Sequence, residues 1–150
     1  PPAPGVPANW VAYTDPATGY SIRKPANWTV LKNGVNTDFK DPATGAYLRV
    51  AYRQPPGADA LQAWRDYEPS FAARYPSYQL ISMERTTFQG LTNAARWEYT
   101  YGRQRAVNLG FVLADRSYGF ALNFVAPQSV WNASQPAFEA FKASFRQPNR

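Results

Sequence analysis

Three groups of residues in this chain have types and spacings that chemistry can use. Ser21 and Lys24 stand three positions apart, the S-x-x-K arrangement in which penicillin-interacting enzymes set a serine nucleophile beside a lysine. That chemistry needs both side chains on one side of a helical turn. Here Tyr20-Ser21-Ile22-Arg23 reads as a strand, where residues three apart point to opposite faces, and the companion S-D-N and K-T-G segments are absent. Two carboxylate pairs, Asp66 with Glu68 and Glu84 with Glu98, are candidates for the acid and base of glycoside hydrolysis. Asp66 and Glu68 sit two positions apart in a helix-like segment and do not face each other. Glu98 has Arg96 two positions away on the same strand face, which predicts an ion pair in place of a proton-transfer role.

The chain contains no His and no Cys. That removes Ser-His and Cys-His nucleophiles, imidazole and thiolate metal ligands, and disulfides. No acidic run has calcium-loop spacing, and no Gly-rich phosphate loop precedes a helix. The expectation is a domain with no catalytic residue, no metal site and no cofactor, built to bind or to sense. The triplets Asn27-Trp28-Thr29 and Asn132-Ala133-Ser134 fit the glycosylation pattern and are read as a strand entry and a helix cap.

At 150 residues, with an aromatic share of 16%, the chain is long enough to bury one core without a staple. The net charge is +6, but Arg49, Arg53, Arg65, Arg74, Arg85 and Arg96 are scattered singly. Without a block of like charge, a solvated basic surface is expected and no specific nucleic-acid partner. Apolar runs are a few residues long, too short to span a bilayer. Pro1-Pro2-Ala3-Pro4-Gly5-Val6-Pro7 reads as a polyproline-like linker, so the organisation expected is a stub over residues 1–8, one domain over 9–146 and a tail over 147–150. On this reading the domain is excised from a longer protein.

The elements that must position any site follow from pattern. Asp15-Pro16-Ala17-Thr18-Gly19 recurs as Asp41-Pro42-Ala43-Thr44-Gly45. Asp can cap such a turn, Pro presets φ and Gly supplies a positive φ at its exit. Residues 59–74 read as a helix, with Asp59 and Gln62 as a capping box and Leu61, Trp64, Tyr67 and Phe71 on one face. Pro69 is expected to kink it or start a second helix. Residues 78–88, 92–101, 105–114 and 117–125 read as consecutive strands with turns at Gln89-Gly90, Gly102-Arg103 and Asp115-Arg116. A final helix is expected to be capped by Ser134 and to line up Phe138, Phe141 and Phe145. The fold class is α+β, an antiparallel sheet of about six strands with helices packed against it.

Within the four strands, Trp97, Tyr99 and Tyr101 are expected to join Val107, Leu109, Phe111 and Leu113, and Tyr118, Phe120, Leu122 and Phe124, on one core face. The opposite face would carry Ala94, Arg96, Glu98 and Thr100, then Ala106, Asn108 and Gly110, then Gly119, Ala121 and Asn123. Such a face is either covered by a helix or solvated, or it is a shallow groove for a ligand or partner. The candidate contact residues are Arg96, Glu98, Asn108 and Asn123, with Arg49 and Arg53 from a neighbouring strand.

Gly19-Tyr20-Ser21-Ile22 with Pro25 and Trp28, Asp38-Phe39-Lys40-Asp41, Trp64, Gly90, Ala94-Ala95-Arg96-Trp97-Glu98-Tyr99, Tyr118-Gly119-Phe120 and the Phe138/Phe141/Phe145 helix together resemble the PsbP-like fold. That fold is shared by photosystem accessory proteins and Ran-binding import factors. Within it, the segment from Gly90 to Tyr99 behind a Pro-rich stub is similar to the C-terminal extracytoplasmic domains of actinobacterial serine/threonine protein kinases. The resemblance implies a non-catalytic sensor or protein-interaction domain outside the cell, tethered to the membrane through an upstream segment. Its partner would be a cell-envelope ligand or a protein. The alternatives are a secreted PsbP-like binding lipoprotein and a small carbohydrate-active enzyme.

Overall fold

Each strand-forming run ends at a turn whose residues dictate it. In the first Asp-Pro-Ala-Thr-Gly turn the Asp15 carboxylate accepts from the Thr18 backbone N–H at 2.8 Å and its hydroxyl at 2.9 Å, while Gly19 donates to the Asp15 carbonyl at φ 88°. Asp41, Thr44 and Gly45 repeat the device, with Gly45 at φ 82°. Both pentapeptides are hairpin turns, as their residue order predicts.

The computed structural model describes residues 4–148; residues 1–3 of the expected linker stub and residues 149–150 of the expected tail lie outside the described residues. Strands β1 (Val11–Thr14) and β2 (Ser21–Lys24) form a two-stranded sheet of their own. Strands β3 (Thr29–Asn33), β4 (Asn36–Lys40), β5 (Tyr47–Arg53), β6 (Gln79–Phe88), β7 (Leu91–Tyr101), β8 (Gln104–Val112) and β9 (Gly119–Pro127) form the main sheet. Its order is β3-β4-β5-β9-β8-β7-β6, antiparallel throughout. Helix α1 (Ala60–Arg74) follows β5 and helix α2 (Trp131–Ser144) ends the chain after a short 3₁₀ turn. The main sheet thus has seven strands where about six were expected, because residues 29–40 fold into a hairpin around Gly34, whose φ is 62°.

Three layers result. Helix α2 and the β1–β2 hairpin cover one sheet face, and α1 covers part of the other. On the α2 face the fully buried Phe141 ring meets Trp10 at 4.9 Å, Trp28 at 5.4 Å and Phe39 at 6.1 Å. Burying one such ring stabilises the fold by about 1.5–3 kcal/mol. Val6 and Trp10 belong to the same cluster. On the α1 face Phe71 packs on Trp97, Tyr99 and Tyr101, so the aromatic row of β7 belongs under α1.

That placement corrects the expected face of Trp97, Tyr99 and Tyr101. The two-residue turn Gly102-Arg103 pairs Tyr101 with Gln104, so Trp97 pairs with Asn108 and Tyr99 with Ala106. Cross-strand partners share a face, which puts the β7 aromatics with the small and polar row of β8 and away from Val107, Leu109 and Phe111. The latter row pairs with Phe124, Leu122 and Phe120 as expected.

Both helices depart from expectation at their caps. Asp59 accepts from the Gln62 N–H at 2.9 Å, but the Gln62 side chain bonds Asp66, so the capping box is only half made. Pro69 lies within an unbroken α1, and the helix does not restart there. In α2 the Ser134 hydroxyl donates to the Val130 carbonyl at 2.8 Å, inside the first turn, and the helix starts at Trp131 without a side-chain cap. No helix among the described residues is long and apolar enough to cross a membrane.

Candidate functional site

The face that α1 only half covers is where the small residues matter. Helix α1 packs on β6, β7 and β8. At the crossing a Cβ on Gly110 would stand 2.8 Å from Trp64 Cζ2, and the Trp64 Nε1 donates to the Ala95 carbonyl at 3.3 Å. The glycine therefore lets the Nε1 edge of the indole reach the sheet. Beyond the helix, on β9, β5 and β4, the same face is only half-buried at Gly119, Ala121, Asn123, Arg49, Ala51 and Asp38.

Between the start of α1 and this strip lies a cavity of about 150 Å³. Its floor is Gly110, Gly119, Ala121 and Ala51; Ala60, Ala63 and Trp64 wall it from the helix, and Arg53 closes the β5 side. Asp59 is the acidic side chain on its lining, and Arg85 grips it with two bonds of 2.7 and 3.0 Å. The Arg85 guanidinium and the Gln62 N–H hold the Asp59 carboxyl below the usual carboxylate range. The first N–H groups of α1 are taken as well: Ala60 donates to Asn93 Oδ1 at 2.8 Å and Gln62 to Asp59. Arg53 is exposed and forms no ion pair among the described residues.

The six sequence-predicted residues divide between the two faces. Arg49, Arg53, Asn108 and Asn123 share the α1 face, where Arg49 pairs across strands with Asn123 and Asn123 with Asn108. Arg49 also grips Asp38 with bonds of 2.8 and 3.0 Å. The Oδ1 atoms of Asn108 and Asn123 are buried and accept no hydrogen bond among the described residues. Asn108 itself is 6% exposed, so it lies beneath the surface of the strip.

Arg96 and Glu98 are on the other face. Their positions pair with Leu109 and Val107, and Glu98 is nearly buried between Arg96, at 2.9 Å, and Arg105, whose Nε donates at 2.7 Å. Arg105 lies over the Trp131 ring with its guanidinium carbon 5.0 Å from the centroid. This cluster is the ion pair expected of Glu98, enlarged by Arg105, and it ties the β7–β8 hairpin to the start of α2. It does not meet Asn108 or Asn123, so the expected polar face does not exist as one surface. Of the carboxylates that are candidates for hydrolysis, Glu68 accepts from the Tyr78 hydroxyl and Asp66 from Gln62, while Glu84 stands across from Arg96, the residue that bonds Glu98, so a cation lies between that pair.

Sequence reasoning missed the α1 contribution. Trp64 was readable as a helix-face aromatic, but its seat on Gly110 was not. Ala60 and Ala63 carry no motif, and only their position around the cavity distinguishes them.

A seven-stranded antiparallel sheet with one helix on each face and an N-terminal hairpin beside the second helix defines a PsbP-like α+β module. The structure of cyanobacterial PsbP (CyanoP) from Synechocystis sp. PCC 6803 matches with a TM-score of 0.69 at 18% identity, over 94% of each chain. The Ran-binding protein Mog1p of Saccharomyces cerevisiae matches at 0.65 and 9% identity, over 94% of this chain and 96% of that one. LpqN of Mycobacterium tuberculosis, described as involved in cell envelope biogenesis, matches at 0.61 and 13% identity, over 93% and 91%. Identities this low speak for the fold alone. No curated protein matches the chain. The family model described as "Serine/threonine kinase C-terminal domain" matches residues 11–147, and the chain belongs to that family. It is the C-terminal, non-kinase part of that architecture.

Proposed function

We propose that this domain is a non-catalytic sensor of a membrane-anchored serine/threonine kinase, placed outside the cell, and that the cavity beside Trp64 is its ligand seat. Ligand binding would bias the association of the receptor, and phosphoryl transfer would occur in the kinase domain. The observation that carries the reading is the uncovered strip itself. A sheet face floored by Gly110, Gly119, Ala121 and Ala51, walled by a helix on one side and edged by Arg53, is a preformed concave apolar site with a polar group at its rim. The kinase context comes from family membership. An envelope location is supported by the fold shared with LpqN.

The test is a thermal-shift screen of the purified domain against cell-wall fragments, sugars, lipids and nucleotides, run beside Ala121→Leu, which fills the floor. A saturable rise in Tm that Ala121→Leu abolishes is the expected result, since a ligand bound only by the native state stabilises it by mass action. No shift with any member, or a shift that Ala121→Leu leaves intact, would overturn the assignment of the cavity.

A further inference from the structure

The geometry points to a ligand class: a small acid with a single planar ring, its ring on the sheet floor and its anionic group at Arg53. The inference rests on the cavity being a ligand seat and adds what the seat selects.

Size sets the apolar part. A cavity of about 150 Å³ is close to that which takes one benzene molecule in an apolar core, so its volume matches a single ring. Shape sets its planarity. Gly110, Gly119, Ala51 and Ala121 contribute no atom beyond Cβ, so the floor is a shelf of backbone and methyl groups. The Trp64 indole stands at its side, pressed to the sheet over Gly110. A flat ring on the shelf meets the indole in the tilted contact that aromatic pairs prefer.

Charge sets the other part. Asp59, the acid on the lining, is occupied by Arg85, while Arg53 lines the mouth without an ion pair among the described residues. Arg116 stands on the same side, its Nη2 donating to the Gly57 carbonyl at 3.4 Å. At the α1 N-terminus the Ala60 and Gln62 N–H groups are already bonded to Asn93 and Asp59. A carboxylate or phosphate joined to the ring would complete Arg53 with a charge-assisted pair. Neutral rings lack that partner.

Four probes test this by amide NMR titration of the whole 150-residue chain: benzoate, phenyl phosphate, benzyl alcohol and acetate. Benzoate and phenyl phosphate should shift Gly110, Gly119, Ala121 and the Trp64 indole saturably. Benzyl alcohol should bind about tenfold more weakly, and acetate should leave those signals in place. Arg53→Ala, at an exposed position that tolerates truncation, should reduce benzoate to the level of benzyl alcohol. Equal binding of benzoate and benzyl alcohol, or indifference to Arg53→Ala, would overturn the anionic half. Acetate acting like benzoate would overturn the ring. If no ring acid moves these signals but another compound of the thermal-shift panel does, this ligand class falls and the seat stands; if nothing moves them, both fall.

Discussion

Gly110 is the residue on which the site's geometry turns. Its lack of a Cβ lets the Trp64 indole reach the sheet, and the indole in turn fixes the height of α1 above the cavity floor. Gly110→Ala places a methyl group 2.8 Å from Trp64 Cζ2, inside any tolerated contact, so the ring or the helix must lift. The expected cost is about 1–3 kcal/mol, read as a lowered urea midpoint followed by tryptophan fluorescence. An unchanged midpoint would show that the indole swings aside freely and does not hold the helix. From the sequence, the run of small residues in β8 and β9 was visible, and so was Trp64 as a helix-face aromatic. That these meet was not, because a contact between positions 64 and 110 depends on how α1 crosses the strands.

At the scale of elements, alternation places the strands, and the parity of the turns decides which rows share a face. The strands of residues 78–125 stand where period-two patterning puts them, yet the Trp97 row lies on the face opposite to the one alternation alone suggests. A two-residue turn pairs odd positions with even ones, and the turn at Gly102-Arg103 carries that signal. The two-residue turn Gly34-Val35, with Gly at its first position, joins the pair of strands that takes the sheet from about six strands to seven. Helix α1 shows tertiary packing overriding a local rule. Pro69 removes a donor inside the helix, but Leu61, Trp64 and Phe71 anchor both sides of it to the sheet. Since Pro69 is exposed, Pro69→Ala touches only the backbone and should stabilise the domain by about 1–2 kcal/mol, seen as a raised Tm. A lowered Tm would mean that the proline bends α1 to follow the sheet.

At the scale of the whole molecule, the question is what joins the small hairpin to the large sheet. Ser21 exchanges backbone hydrogen bonds with Arg146, Ser144 accepts from the Arg23 N–H, and Asp15 in the β1–β2 turn pairs with Lys32 on the edge strand β3 at 2.8 Å. Asp15 has no exposed side-chain surface. Burial pushes its carboxyl up, but the bonds from Lys32 and Thr18, with the Lys32 charge, outweigh burial and leave it below its ordinary value. A depressed carboxyl contributes stability that is complete above the unfolded-state value, about pH 4, and is lost as pH falls through the folded value. Asp15→Asn keeps an acceptor for Thr18 and removes the charge that Lys32 meets. Wild type should therefore exceed Asp15→Asn by about 1–2 kcal/mol near neutral pH, and the gap in urea midpoints should close as pH drops below about 4. A gap that stays constant to pH 2 would mean that Asp15 acts through the Thr18 turn alone and that the ion pair does not link the two sheets.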